Sequence, residues 1–489
     1  MMHRRRSALA AVLSLCACLV ARAATAQTPS PPDTPGGRRI AALVQAFDEG
    51  TPDAIRAFVT ANFSAASQQR VPLDTRVQRL SGMAKEIGPI EFRQMLPGDG
   101  PEVRFLAQAK KSGDWLEVGM MLEQGPPLGI EGLKFEPSDG PGAARETRKG
   151  SDAEVAAAAD AYLARLAATD ELSGVVLLAK DGKPFFRKAY GLANRDFAVA
   201  NRPDTKFNIG SINKKFTQVA IAQLAAQGKL SLSDTIRKHL PDYPSPAADR
   251  ITVQQLVSMS SGLGDIFGER YDATPKAKLR TLSDYLPLFA DQPLLFEPGT
   301  SHSYSNAGYV VLGLIVERVS GEAYHDYVRR HVFLPAGMKD SDAYPQDEVV
   351  PHRAVGYTRE GPGGPQPAPR RVNIYALPAR SSSAGGGYST ADDLLAFDRA
   401  MRNAALLSHE WTDWALSAGA AAPSSAPAAG TQVPRRHAGG SGFAGGTAGV
   451  NAVIEMDFDT GYTVIVVSNL DPPSAEGAAK KLRQWLGLK

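Results

Sequence analysis

The sequence predicts an α+β protein with two folded domains. Residues 40–137 read as helices followed by four strand-like runs, the order expected of a small α+β domain. Residues 153–489 place strand-like runs at both ends with helical sequence between them. That arrangement implies an antiparallel sheet flanked by helices, closed by its two ends, with an all-helical insertion. A length of 489 residues agrees, being too long for one ordinary domain.

"MMHRRRSALAAVLSLCACLVARAATAQ" has a basic start, an apolar middle and an Ala24-Thr25-Ala26 ending, the three parts of a secretory signal over residues 1–26. A periplasmic or secreted protein is expected. The apolar stretch is short for a membrane span, and no later segment offers about 20 uninterrupted apolar residues. Both cysteines, Cys16 and Cys18, lie inside this segment, so cleavage after Ala26 leaves a chain without disulfides. "LCAC" (Leu15 to Cys18) resembles a lipoprotein processing box, which leaves a lipid anchor at Cys18 open. The formal charge is +3; without the four arginines of the first 26 residues, 50 basic side chains face 51 acidic ones. A near-neutral chain gives no electrostatic argument for nucleic acid or anionic lipid.

"TPSPPDTPGG" (Thr28 to Gly37) reads as a Pro-rich tether within residues 27–39. Ile40, Leu43, Val44 and Phe47 then recur at helical spacing, Gly50 can stop that helix, and Thr51-Pro52 suits the start of another. "EFRQML", "EVRFLAQAK", "WLEVGMMLE" and "GIEGLKFEP" follow as strands, separated by "PGDGP", "KSGD" and "QGPP". In pattern, this stretch resembles NTF2-like modules, a spacer or binding module without a plausible catalytic set. Residues 138–152 form a polar linker.

In the second domain an Ala-rich helix leads into "GVVLLAKDGKPFFRKAYG", where Asp181-Gly182 between apolar runs signals a hairpin. "VNAVIEMD", "YTVIVVSN" and a final amphipathic helix from Ala475 to Leu486 mirror it at the far end. "SAGAAAPSSAPAAGTQVP" (Ser417 to Pro434) reads as a mobile surface loop.

Chemistry enters at "NIGSINKKFTQVAIAQL" (Asn208 to Leu224). Phe216, Val219, Ala220 and Leu224 recur with helical period, placing Ser211 in the first turn. Positions i and i+3 share a face, so the Lys214 amine stands beside the Ser211 hydroxyl. A serine must lose its proton to attack a carbonyl, and a desolvated lysine can take it. Lys215 falls about 100° further round and is expected in solvent. The second motif is Tyr304-Ser305-Asn306, in a loop before a helix from Ala307 to Val319. A phenol can shuttle a proton, and a carboxamide can hold a substrate amide or polarise the lysine.

Ser211-Ile212-Asn213-Lys214 followed by Tyr304-Ser305-Asn306 resembles the penicillin-recognising serine hydrolases, in the branch of class C β-lactamases, D-alanyl-D-alanine carboxypeptidases and related esterases. "HLPDYPSP", "SSGLGDIFG", "FLPAGMKDS" and "SSAGGGYSTADDLLAFDRAM" support it, and the resemblance covers Asp170 to Leu488. It implies a β-lactamase-like fold, with Ser211 as the acylated nucleophile, Lys214 and Tyr304 as the proton-transfer pair, and Asn306 as a substrate-positioning group. No class A-like Glu-x-x-Leu-Asn stretch is present, which makes Tyr304 the candidate for activating the deacylating water.

The third motif of that family, Lys or His, any residue, then Gly, is altered here. "GFAGGTAGVNAVIEMDFDTGYTVIVVSN" aligns Phe443 with the basic position, followed by Ala444 and Gly445, with Gly446 supplying an oxyanion N–H beside that of Ser211. A rival register uses His437-Ala438-Gly439. Loss of the cation would remove a charge-assisted hydrogen bond of about 1.5–3 kcal/mol, disfavouring carboxylate-bearing β-lactams and D-Ala peptides. Met259 also stands where relatives usually carry histidine. His302, His325, His331 and His352 lack metal-ligand spacing, "GGGY" (Gly385 to Tyr388) reads as a turn, and Arg370-Arg371 as a solvated pair.

No cofactor or metal is therefore expected. The expected activity is that of an exported serine hydrolase forming a covalent acyl-enzyme on a small ester, amide or D-amino-acid peptide. The alternative is a catalytically impaired penicillin-binding-like protein that binds cell-wall peptides or a protein partner.

Overall fold

The Thr34 side chain accepts a hydrogen bond from Gly37 N at 3.0 Å and caps helix α1 (Pro35–Glu49). The helix thus begins inside the expected tether, because Pro35 at its first position has φ already set and no N–H to lose. Gly50, at φ 63°, ends it, and Thr51 caps α2 (Pro52–Asn62). Helices α3 (Ala65–Arg70) and α4 (Leu73–Ile87) follow; α4 repeats Val77, Leu80 and Ala84 at helical spacing and buries all three. Strands β1 (Ile90–Leu96), β2 (Glu102–Ala109), β3 (Trp115–Leu122) and β4 (Ile130–Ser138) form a sheet in that order.

This computed structural model describes residues 29–488 except 72, 99, 139, 141–149, 362–363, 366–368 and 418–439. The expected signal segment with Cys16 and Cys18, most of the 138–152 linker, nearly all of the Ala/Pro loop and His437 therefore lie outside the described residues. The chain divides into two compact units. The first runs up to Ser81 and adds Pro89–Gln108 and Trp115–Glu136; the second comprises Gly82–Gly88, Ala109–Asp114 and Pro137–Lys489.

In the second unit a reciprocal cap between Ser151 and Glu154 opens α5 (Asp152–Ala168). Strands β5 (Gly174–Lys180) and β6 (Lys183–Tyr190) follow, and Asp181 and Gly182 at φ 49° and 70° supply the left-handed turn of a tight hairpin. The intervening region is largely helical and includes α6 (Asn213–Ala226), α7 (Asn306–Ser320), α8 (Ala391–Arg402) and α9 (His409–Leu416). The chain then returns as β7 (Gly440–Thr447), β8 (Val450–Asp457), β9 (Tyr462–Ser468) and α10 (Ser474–Trp485). The sheet order is β7-β8-β9-β5-β6, so the last strand of the chain pairs antiparallel with the first of this unit, Val466 opposite Val176.

Continuous apolar runs mark strands covered on both faces. Val175, Leu177, Ile465 and Val467 face the helical region, while Val176, Leu178, Val464 and Val466 face α5 and α10. Arg370 departs from its expected solvation: its side chain is 10% exposed and pairs with Asp170 at 2.9 Å and Asp471 at 3.2 Å. Its neighbour Arg371 is exposed, so the two side chains of the pair part company. Among the described residues no helix is long and apolar enough to cross a membrane.

Because Ile465 is fully buried between sheet and helices, Ile465→Ala is expected to cost about 2–5 kcal/mol. Lys183→Ala, on the exposed side of the hairpin, should stay within about 0.5 kcal/mol of the parent. Denaturant titration of both variants measures the difference.

Candidate active site

The turn before α6 dictates the geometry. Gly210, at φ 51°, begins a single 3₁₀ turn, Gly210–Ile212, that carries Ser211 into the cleft. A Cβ on Gly210 would stand 2.9 Å from Gly445 C and Gly446 N, and one on Gly445 would stand 2.5 Å from Ser211 N. Two glycines on separate elements thus let the strand β7 backbone lie directly against the serine. From the other side, Gly387 O accepts from Ile209 N at 2.9 Å and Gly210 O accepts from Gly386 N at 3.2 Å. The "GGGY" stretch, expected as a turn, therefore wraps the serine-bearing backbone.

Helix α6 is buried nearly all round instead of on one face. Lys214 is 4% exposed, and its Nζ donates to Ser211 Oγ at 3.2 Å, to Asn306 Oδ1 at 2.7 Å and to the Ala384 carbonyl. Burial pushes its pKa down to about 7, with the Asp265 carboxylate acting in the opposite direction. The rings of Tyr304 and Tyr309 lie 4.7 and 5.5 Å from the amine.

Tyr304 OH is 2.6 Å from Ser211 Oγ. Burial raises the phenol above its ordinary pKa, and the hydrogen bond to Ser211 partly offsets this. The loop that presents it is held by Ser303 N donating to Met259 O at 3.0 Å. Met259, at φ 56°, thus supports the tyrosine through its backbone, while its side chain packs against the core. Ser305 caps α7 by accepting from Gly308 N at 3.0 Å, so the helix begins at Asn306, one residue before the expected start.

The structure brings Ser211, Lys214, Tyr304 and Asn306 together and sets Gly445 and Gly446 beside them. Asn306 was expected to position substrate. It is 8% exposed, and its Nδ2 donates to both Asp265 oxygens at 2.9 Å while its Oδ1 receives Lys214, the second of the two roles read for this carboxamide. This amide orients the lysine. Asp265 is the group that the sequence reading missed. It lies in the quoted "SSGLGDIFG" stretch, but only the fold shows that a residue 41 positions away fixes Asn306.

Lys215 is also reversed: it is 7% exposed, not solvated. It follows Lys214 in the first turn of α6 (Asn213–Ala226), whose residues from Asn213 to Ala222 are all buried. Its Nζ donates to Ala415 O at 3.3 Å and lies 3.7 Å from the centroid of the Phe443 ring. Phe443 is half-buried on β7 and turns its ring to that amine. Among the described residues no cluster of His, Cys, Asp and Glu could hold a metal.

A family model described as Beta-lactamase matches residues 158–489. The putative penicillin-binding protein PbpX of Bacillus subtilis (strain 168) is 32% identical over 240 residues, 49% of this chain and 57% of that protein. The chain thus spans a little over half the length of that relative. A penicillin-binding protein from Bacillus halodurans, known from its crystal structure, is 30% identical with a TM-score of 0.56, covering 65% of this chain and 98% of that one. The D-amino acid amidase from Ochrobactrum anthropi SV3 shares the fold, with 22% identity and a TM-score of 0.54 over 68% of this chain and 97% of that one. With its Ser-x-x-Lys and Tyr-x-Asn groups converged in one cleft, the chain belongs to the Beta-lactamase family of serine hydrolases.

Proposed function

We propose that the second unit hydrolyses small, neutral esters or amides through an acyl-enzyme on Ser211. The carrying observation is the placement of Ser211 Oγ between Tyr304 OH at 2.6 Å and Lys214 Nζ at 3.2 Å. In this reading neutral Lys214 accepts the serine proton as Oγ bonds to the carbonyl carbon. Tyr304 keeps its own proton at neutral pH and relays one to the leaving group. In the second step it guides a water proton away as the ester of Ser211 is cleaved. The N–H groups of Ser211 and Gly446 receive the oxyanion, each donor contributing roughly 10²–10³-fold.

Phe443 at the wall supplies no charge for a substrate carboxylate, which supports neutral substrates over β-lactams and D-Ala peptides. Export to the periplasm or beyond belongs to the same proposal and rests on the basic, apolar and Ala24-Thr25-Ala26 order of the N-terminal sequence.

Ser211→Ala should lower ester turnover at least about 10³-fold and abolish labelling by a fluorophosphonate, with an unchanged circular dichroism spectrum. A label that mass spectrometry maps to another residue overturns the assignment. The base must be neutral, so kcat/KM should rise with pH through about 7, the value to which burial brings Lys214. An activity that instead falls through that range contradicts Lys214 as base.

Asp265→Asn replaces one of the two acceptors that fix Asn306 with a donor and removes the negative charge that favours protonated Lys214. Turnover should fall about 10-fold or more, as for loss of a hydrogen bond to a charged group. The acid limb of the pH profile should move to lower pH, a shift that simple misfolding does not produce.

A further inference from the structure

Lys215 is a buried amine that the proposed reaction does not use. Its pKa is lowered by burial alone, and among the described residues it forms no ion pair; the Ala415 carbonyl and the Phe443 ring are what it touches. An ammonium removed from water without a counter-ion is costly, so its holders matter. Ala415 lies in the last turn of α9, where free carbonyls and the helix dipole favour a cation. The ring face of Phe443 offers the second weakly negative surface.

The position of this amine follows from the alternation along β7. Phe443 and Gly445 share one face of β7, since side chains alternate along a strand. A side chain at 445 would run into Ser211 N, so this face looks at the nucleophile turn. Lys215 follows Ser211 by four residues, in the first turn of α6, and its Nζ lies 3.7 Å from the centroid of the Phe443 ring. Gly445 therefore stands against Ser211, and Phe443 stands against Lys215 immediately below. Phe443 keeps partial exposure while Lys215 is 7% exposed, so the ring is the layer that covers the amine.

We propose that Lys215 is a masked carboxylate-binding group and that the Phe443 ring, by capping it, excludes acyl groups carrying a carboxylate from the cleft. Removing the ring opens a void two residues along β7 from Gly445 with the Lys215 amine at its floor, which water and an entering carboxylate on the acyl chain would hold as an ammonium. The proposal deepens the hydrolase reading and rests on it for its kinetic arm only.

The test compares a neutral p-nitrophenyl ester with an analogue bearing a terminal carboxylate on its acyl chain, using the full chain. The parent should favour the neutral ester. Phe443→Ala should raise the ratio of kcat/KM, carboxylate over neutral, about 10-fold or more, in line with a charge-assisted hydrogen bond. The double variant Phe443→Ala, Lys215→Met should lose that gain. Phe443→Val, smaller but suited to a strand, carries the same comparison where the alanine variant does not fold. Calorimetric titration with glutarate gives a readout free of turnover: binding to Phe443→Ala and none to the double variant supports the proposal. A ratio and a glutarate affinity that ignore Lys215 overturn it, even with neutral-ester turnover intact. Absence of all turnover, with Lys215-dependent glutarate binding retained, would instead sink the hydrolase reading and leave the masked group standing.

Discussion

The second unit depends on keeping one lysine dry. Lys214 Nζ has three protein partners, Ser211 Oγ, Asn306 Oδ1 and the Ala384 carbonyl, and lies between two tyrosine rings. A lysine in water stays protonated far above neutral pH and cannot serve as a base there. Here enclosure lowers that preference, and it places nearly all of α6 inside the protein. This explains a helix without a polar face, threaded between the sheet and the remaining helices.

Burial alone would leave the amine free to turn away from the serine. Directional partners from distant parts of the chain prevent this. The Ala384 carbonyl comes from the 381–389 stretch, in which Ser383 Oγ also donates to Tyr309 O at 2.8 Å and Ser383 O accepts from Thr217 at 2.7 Å. Asn306 is locked by Asp265, because its Nδ2 donates to the two carboxylate oxygens and its Oδ1 is left for Lys214. Asp265 also sets a limit. Its charge works against burial, holding Lys214 near neutrality rather than letting it fall further.

Much of this was legible where the signal is local. The Ser211–Lys214 pairing follows from a three-residue spacing on a helix, and the hairpin at Asp181-Gly182 from turn chemistry. The strand-like runs at both ends of the second domain marked a sheet closed by the first and last strands of that domain. What escaped was long-range or depended on an axis of reference. Lys215 escaped because an angle of about 100° from Lys214 points to solvent only on a helix with an exposed face, and α6 is buried nearly all round. Arg370 was expected in solvent since Asp170 and Asp471, its partners, lie 200 and 101 residues away. Pro35 passed for tether because a helix-starting proline and a linker proline look alike until Thr34 is seen to cap.

The two adjacent lysines show how one helix turn creates opposite uses for the same side chain. Both are buried, and burial lowers both to about 7. Lys214 faces groups that can exchange a proton, a hydroxyl and a phenol beyond it, with a carboxylate one hydrogen bond further out. Lys215 faces a carbonyl and an aromatic ring, neither of which accepts a proton at neutral pH, so it has no route into the reaction. It is the partner atoms, not the degree of burial, that separate a base from an amine with no part in the reaction. The position of Phe443 thus governs how much positive potential reaches the cleft, while the chemistry at Ser211 is set on the other side of the helix by Asn306 and Asp265.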